Sequence, residues 1–283
     1  MDEALKRWIA AHPYLEGLAR FQATVTAAAE ADPPPALPPP RFEAYAADHA
    51  AGVPLLHSEA SGVDLSGPGG EALKRIVERA AAAQLPRQLH AEAQALRDVL
   101  LRSPEERGRA IVAFLIGHGP ADEIANQAGL LRFLGWTALR RVLAPTLAAY
   151  AAWRGDEARG GEDRWMHGEC PTCGALPPLN QLGGPEDAPW RKLACGCCGT
   201  SWKFRRSGCP FCGNVALDRL GALEIEGEPR VRIDSCESCQ GYLKTYLGQG
   251  EERVFLADWT TLHLDVLARE RGLKRVGMSL YDL

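Results

Sequence analysis

The chain lacks the features that define several large protein classes. Its N-terminus, Met1 to Ala4, begins with acidic residues and shows no charged-then-apolar signal pattern. The longest apolar candidate, Ala110 to Ile116, is far shorter than the roughly 18–20 residues of a membrane-spanning helix. Walker, Rossmann and nucleophile-elbow motifs do not occur. We therefore expect a reduced, cytoplasmic protein with no membrane span and no recognisable catalytic motif.

An excess of charge of one sign is also lacking. The net charge is −4, and from residue 166 onward 14 Lys and Arg residues face 15 Asp and Glu residues. This balance opposes binding to a nucleic-acid backbone, which requires a basic surface. The short basic run of Lys203, Arg205 and Arg206 is therefore interpreted as a solvated strand face.

Cysteine is absent from the first 169 residues, and all nine cysteines lie between Cys170 and Cys239. This confinement disfavours a disulfide framework, which is typical of small secreted domains. A thioredoxin-like motif would need one pair beside a βαβ pattern rather than four pairs among short strands. Eight cysteines form pairs separated by two residues: Cys170/Cys173, Cys195/Cys198, Cys209/Cys212 and Cys236/Cys239.

The spacing within each pair suits metal binding. Two intervening residues form a tight turn that directs both sulfurs to one side, where backbone N–H groups can donate to them. Three pairs are followed by glycine, which tolerates a positive φ, whereas the fourth delays its glycine to Gly241. Two pairs together supply four sulfurs, and tetrahedral sulfur coordination suits zinc or a single iron. The sequence therefore predicts two metal ions, iron or zinc.

The gaps between pairs favour a sequential combination. Between the first and second pairs lie 21 residues, and between the third and fourth lie 23, enough in each case for a returning hairpin. Only ten residues separate the second pair from the third. A crossed arrangement of the pairs remains the alternative. Each metal site would stabilise a half that is too small to form its own core.

Three further residues have an open role. Cys197 lies inside the second pair and is either a free thiol, which we favour, or a replacement ligand. His167 precedes Cys170 by three residues, but four cysteines already fill a tetrahedral site, so a surface or hydrogen-bonding histidine is expected. His118 is interpreted as a loop histidine because no nucleophile or acid motif accompanies it.

The pattern predicts an α+β protein. A helical domain over 1–160 precedes a metal-binding domain over 161–283, which holds two rubredoxin-like or zinc-ribbon modules with short antiparallel strands. The modules cover about 165–206 and 207–250, and a closing helix covers 257–271 with Asp258 as its N-cap. Within the helical half, the glycine-rich segment 53–70 is expected to form a loop.

The cysteine-rich half resembles the formate dehydrogenase accessory protein (FdhE) family. The matching segments are CPTCG at 170–174, LACGCCGTSWKF at 193–204, CPFCG at 209–213, IDSCESCQGYLKT at 233–245 and ADWTTLHLDVLARERGLKR at 257–275. The resemblance implies a cytoplasmic, non-enzymatic accessory protein with two rubredoxin-like iron centres. Its partner would be the catalytic subunit of a molybdenum- or tungsten-containing formate dehydrogenase. Cys197 has no counterpart in the family pattern.

The resemblance carries all eight paired cysteines over as metal ligands. Two other classes remain as alternatives: a zinc-ribbon nucleic-acid or transcription module, and a rubredoxin-like electron carrier. The sequence contains no pattern that indicates an oligomeric state. The ligands implied are Cys170, Cys173, Cys195, Cys198, Cys209, Cys212, Cys236 and Cys239.

Overall fold

Helices occupy the first half of the chain in a computed structural model that describes residues 3–83, 85, 87–101, 104–117, 128–157 and 164–281. The apolar periodicity of this half accounts for them, and the proline-rich stretch 32–40 is non-helical, as its composition predicts. The predicted domain boundary at 160/161 and His118 lie outside the described residues. The helices of this half are α1 Glu3–Ala11, α2 Glu16–Glu30, α3 Phe42–Ala50, α4 Ser66–Ala82, α5 Arg87–Leu101, α6 Pro104–Gly117 and α7 Ala128–Arg154.

The chain divides into two compact units. The helical unit comprises Glu16–Ala46, Leu55–Trp153 and Leu280–Leu283. The sheet unit comprises Met1–Leu15, Ala47–Pro54 and Arg154–Ser279, so it includes α1 as well as the cysteine-rich segment. None of the helices in the described ranges combines the length and the apolar composition that crossing a membrane requires.

The expectation of a loop throughout 53–70 is wrong, because α4 begins at Ser66 and contains three glycines. Two of them allow neighbouring elements to approach closely. A Cβ on Gly69 would lie 2.7 Å from the Leu139 side chain, and one on Gly70 would lie 3.3 Å from the Gly108 Cα in α6. Glycine therefore serves helix packing here, and this gain offsets its low helix propensity.

A single six-stranded sheet forms the centre of the sheet unit. Its spatial order is β3-β2-β1-β6-β5-β4. All neighbouring strands are antiparallel except β1 and β6, which pair in parallel. The expectation of antiparallel strands alone is therefore incomplete. The strands are β1 Leu179–Gly183, β2 Trp190–Ala194, β3 Ser201–Phe204, β4 Leu220–Glu224, β5 Val231–Cys236 and β6 Tyr242–Leu247.

The sheet is a tandem repeat of one pattern. In each half, a cysteine pair precedes two strands, and a second cysteine pair lies between the second and third strands. The first half forms β3-β2-β1 and the second forms β6-β5-β4. The parallel β1–β6 pair joins the first strand of one repeat to the third strand of the other.

Sequence reasoning missed β1 because its centre is polar. Asn180 and Gln181 are nevertheless buried, and each is satisfied by specific hydrogen bonds. The Asn180 Nδ2 donates to the Thr245 Oγ1 at 2.8 Å, and the Gln181 Nε2 donates to the Gly248 carbonyl at 2.7 Å. These partners come from β6 and the turn after it, so the strand is specified by tertiary contacts rather than by its own propensity.

Three helices pack with one face of the sheet. Two of them, α8 Glu252–Phe255 and α9 Leu262–Glu270, follow β6 in the chain, and α8 has no clear sequence signal. The apolar core combines Val231, Ile233 and Tyr246 of the strands with residues of both helices, and Leu5 and Trp8 of α1 pack against it. The N-terminal helix is thus part of the core of the sheet unit.

A buried ionic network fastens β6 to the C-terminal helical segment. The Lys244 ammonium, only 1% exposed, lies 2.5 Å from the Asp258 carboxylate and 2.8 Å from the Asp265 carboxylate. Arg275 forms a second ion pair with Asp265 at 3.0 Å. Burial opposes ionisation of Asp258, but Lys244 outweighs it and lowers the pKa of that carboxyl. The N-cap role expected for Asp258 is therefore wrong, because this side chain faces Lys244 instead.

Replacing Lys244 by methionine should strongly destabilise the sheet unit. The Lys244→Met variant retains the apolar stem but leaves two buried carboxylates partly uncompensated, a change that costs roughly 3–5 kcal/mol. Urea unfolding measures the loss. Lys6→Met is the matched control, because Lys6 is 53% exposed and forms only a surface ion pair with Glu3. Equal unfolding midpoints for the two variants would contradict the structural role of Lys244.

Candidate metal centres

Each cysteine pair is held in a turn that closes in the same way. The backbone N–H of the first cysteine donates to the carbonyl five residues later: Cys170 to Ala175, Cys195 to Thr200, Cys209 to Asn214 and Cys236 to Gly241, at 2.8–2.9 Å. Backbone N–H groups also reach sulfur, as predicted. The Cys197 N–H lies 3.3 Å from the Cys195 Sγ, and the Gly241 N–H lies 3.4 Å from the Cys239 Sγ.

The residue after each pair adopts the left-handed conformation. Gly174, Gly199 and Gly213 have φ of 77°, 82° and 74°, which glycine adopts at little cost. In the fourth turn Gln240 takes this place with φ 60°. Glycine is needed at Gly241, one position later, for a different reason, namely the lack of space for a side chain. A Cβ there would lie 2.7 Å from the Phe211 ring and 3.2 Å from the Cys239 Sγ.

The four turns bring the cysteines together sequentially. The first cysteine group contains Cys170, Cys173, Cys195 and Cys198, and the second contains Cys209, Cys212, Cys236 and Cys239. Within each group all four sulfurs lie within 4.8 Å of one another.

The sulfur separations fit tetrahedral coordination. Bonds of about 2.3 Å to a central zinc would place neighbouring sulfurs about 3.8 Å apart. In the second cysteine group, the Cys209 and Cys239 sulfurs are 3.7 Å apart, and the Cys212 and Cys236 sulfurs are 3.8 Å apart. In the first cysteine group the corresponding distances are both 3.5 Å. Both groups therefore have the donor set and the spacing for one tetrahedral metal ion each.

Exposure distinguishes the two groups. Every cysteine of the first cysteine group is buried, with no residue more than 4% exposed. In the second cysteine group Cys212 is exposed and Cys239 is partly exposed, whereas Cys209 and Cys236 are buried. The second group is thus accessible from solvent and the first is not.

Thiols of the first cysteine group differ in their pKa values. Burial raises the pKa of the Cys170 and Cys173 thiols well above the usual value. Burial opposes ionisation of Cys195 too, but hydrogen bonds from the surrounding thiols, including that of Cys197, outweigh it and hold the pKa of Cys195 well below the usual value. Four adjacent buried thiolates would repel one another and lose their hydration, so they require a positive ion at the centre.

The second cysteine group shows the same contrast. Burial raises the pKa of the Cys209 thiol to about 12. Burial also opposes ionisation of Cys236, but backbone N–H donors at Cys239 and Ser238 outweigh it and lower the pKa of Cys236 to about 7. The Asn214 amide lies 3.7 Å from the same sulfur. Cys236 is therefore more favoured as an anion at neutral pH than Cys209.

Two residues of open role lie beside the first cysteine group and outside it. Cys197 is fully buried, and its thiol acts on Cys195 by hydrogen bonding. His167 belongs to neither group; its side chain is exposed, and its carbonyl accepts a hydrogen bond from the Trp202 indole at 3.1 Å. The exposed side chain of His167 agrees with the surface histidine expected from the sequence, whereas the role of Cys197 stays a prediction.

Sequence reasoning missed a third group of ligand-type side chains, formed by His12, Glu228 and His263. These residues come from the position directly after α1, the β4–β5 turn and α9, so no local spacing connects them.

Curated relatives of this chain carry the name FdhE homolog, while no protein-family model matches. The relative from Aquifex aeolicus is 28% identical over 172 residues, which cover 59% of this chain and 55% of the relative. The relative from Pseudomonas aeruginosa is 30% identical over 191 residues, which cover 64% and 58% respectively. The chain thus spans little more than half the length of the curated relatives it matches.

A solved structure shares the fold of the whole chain. The crystal structure of the FdhE protein from Pseudomonas aeruginosa superposes with a TM-score of 0.65 and covers 98% of this chain and 92% of that one. The sequence identity of 23% makes this a likeness of fold. The curated relatives named FdhE homolog and the shared fold agree with the resemblance that the cysteine motifs indicate.

Proposed function

We propose that this protein is a non-enzymatic accessory factor that binds the catalytic subunit of a molybdenum- or tungsten-containing formate dehydrogenase during assembly, in the cytoplasm. The observation that carries the proposal is the pair of four-cysteine groups on one tandem-repeat sheet, in a chain with FdhE relatives. The eight paired cysteines would hold two metal ions, which we infer to be iron. A bound ion would supply a positive centre that stabilises the thiolates and joins the turns of each repeat.

The ligand geometry supports an accessory role rather than catalysis. Catalytic zinc sites keep an open position for water or substrate, whereas four protein sulfurs close the tetrahedron. Each four-cysteine group brings together four sulfurs. A closed centre stabilises its surroundings and presents a defined surface, and both properties suit a protein that binds a partner.

We infer that the partner contacts the side of the second cysteine group. Cys212 is exposed there, and the chain that follows it carries Val215 and Leu217, which are 59% and 69% exposed. Exposed apolar side chains beside an accessible site are typical of protein-interaction surfaces. Leu217 also lines a cavity of about 220 Å³ that Cys209, Cys236 and Phe211 help to form.

Metal analysis tests the two centres separately. The wild-type protein should contain two sulfur-bound ions per chain, and Cys173→Ser and Cys236→Ser should each retain one of them, since each removes one ligand from one group. A chelator should remove the ion of the second cysteine group several-fold faster, because only that group is exposed. Circular dichroism and proteolysis should show loss of the sheet unit once both ions are gone.

Cys197→Ser is the matched control for these variants. It alters a buried cysteine next to the first cysteine group but removes none of the eight paired sulfurs, so both ions should remain. An unchanged sheet unit after complete removal of metal would contradict the structural role of the ions.

Capture of the catalytic subunit tests the partner. Full-length protein immobilised in its metal-loaded form should retain that subunit, and Leu217→Asp should weaken retention by about tenfold, or ~1.4 kcal/mol. Val266→Asp is the control, because Val266 is also an exposed apolar residue, at 45%, but lies on α9. Normal formate dehydrogenase activity in a strain lacking this protein would contradict the proposal.

An electron-carrier role is the second candidate, and the exposure of Cys212 favours it because electron transfer needs close approach to the centre. An iron-loaded carrier should show visible absorption that bleaches on reduction and returns on oxidation. The accessory role alone requires no such cycle. A colourless protein that contains only zinc would exclude the electron-carrier function. The accessory function would then be tested by the capture experiment alone.

A further inference from the structure

A third cluster of ligand-type side chains lies within the sheet unit. The Glu228 carboxylate stands between two imidazoles: its Oε1 lies 3.1 Å from the His12 Nε2, and its Oε2 lies 2.9 Å from the His263 Nε2. The side chains of His12, Glu228 and His263 are 11%, 17% and 19% exposed. The cluster is therefore largely shielded but still reachable by water.

The protons of His12 can be assigned from its neighbours. The His12 Nδ1 lies 2.9 Å from the Trp8 carbonyl oxygen. A carbonyl oxygen only accepts, so the Nδ1 carries the proton of a neutral ring and the Nε2 presents its lone pair to the carboxylate of Glu228. Two acceptors 3.1 Å apart repel each other unless the ring gains a second proton or a cation lies between them.

His263 disfavours the arrangement in which both rings are charged. Its ring lies over that of His12, with centroids 5.4 Å apart and an interplanar angle of 27°. A cation bound through the His263 Nε2 would leave the ring proton on Nδ1, which is buried and has no hydrogen-bond partner among the described residues, so the ligand bonds must offset the cost of that unpaired donor.

A divalent ion can take the place of the proton between the His12 Nε2 and the Glu228 carboxylate. Metal–nitrogen and metal–oxygen bonds of about 2.0–2.1 Å place neighbouring ligand atoms roughly 3.3 Å apart in a tetrahedral site. The separations of 3.1 and 2.9 Å require only a small adjustment. An imidazole whose Nδ1–H donates to a backbone carbonyl while its Nε2 faces outward is the usual orientation of a metal-binding histidine.

We propose that His12, Glu228 and His263 bind a divalent transition-metal ion of the zinc type, separate from both cysteine groups. Two imidazoles and one carboxylate suit such an ion and leave a fourth position for water. The ion would link α1 to the β4–β5 turn and to α9, three segments that are distant in the sequence. This site is independent of the proposed accessory function and requires no thiolate.

Calorimetric titration with Zn²⁺ tests the proposal on the full chain, after both cysteine groups have been loaded with zinc. The wild-type protein should bind one further equivalent. Glu228→Gln, which keeps the size and polarity of the side chain, and His263→Gln should both abolish it. Glu226→Gln is the matched control, because Glu226 is an exposed carboxylate on the same hairpin and should bind the third equivalent normally.

Cobalt provides a second readout that distinguishes this site from the sulfur sites. Co²⁺ added to the zinc-loaded protein should give d–d absorption without the near-ultraviolet band of sulfur-to-cobalt charge transfer. Circular dichroism and two retained zinc ions verify the fold of each variant, and the wild-type stoichiometry decides alone where a variant fails this check. Absence of a third equivalent, its persistence in both variants, or a cobalt spectrum with sulfur charge transfer would overturn the proposal.

Discussion

The parallel pairing of β1 with β6 is the interaction on which the sheet unit depends, because it makes one sheet from two repeats. The pairing is specified by buried polar groups rather than by apolar surface alone. The Asn180 side chain of β1 donates a hydrogen bond to Thr245 of β6. The side chain of the next residue, Gln181, donates to the carbonyl of Gly248, directly after β6. Partners of this kind are satisfied in one register only, so a slip would leave buried polar groups unpaired.

The tandem repeat produces two similar centres in unequal surroundings. Each group takes one turn from before its first strand and one from between its second and third strands. The first cysteine group is fully buried, whereas the second leaves Cys212 exposed. One repeat can therefore serve mainly to stabilise its surroundings, while the other presents its centre to solvent. The two groups have the same ligands but differ in solvent exposure because they lie at different positions in the fold.

Local patterns made most of the fold and both cysteine groups predictable. The pair spacing encodes each turn within six residues, a following glycine supports three of the four turns, and the gap lengths favour the sequential grouping that the structure shows. Prediction fails where tertiary contacts override local propensity. Examples are the polar strand β1, the glycines at the start of α4, which serve close packing, and Asp258, whose carboxylate meets Lys244 instead of capping a helix.

The same distinction explains why one group of ligand-type residues was visible in the sequence and another was not. A Cys-x-x-Cys turn brings two sulfurs together by itself, so folding has only to join two preformed halves. His12, Glu228 and His263 have no such local constraint and meet only after α1, a hairpin turn and α9 have packed together. Binding of a cation among these three residues would therefore require the packed tertiary structure of the sheet unit. Each cysteine group requires only that the two turns of a single repeat come together.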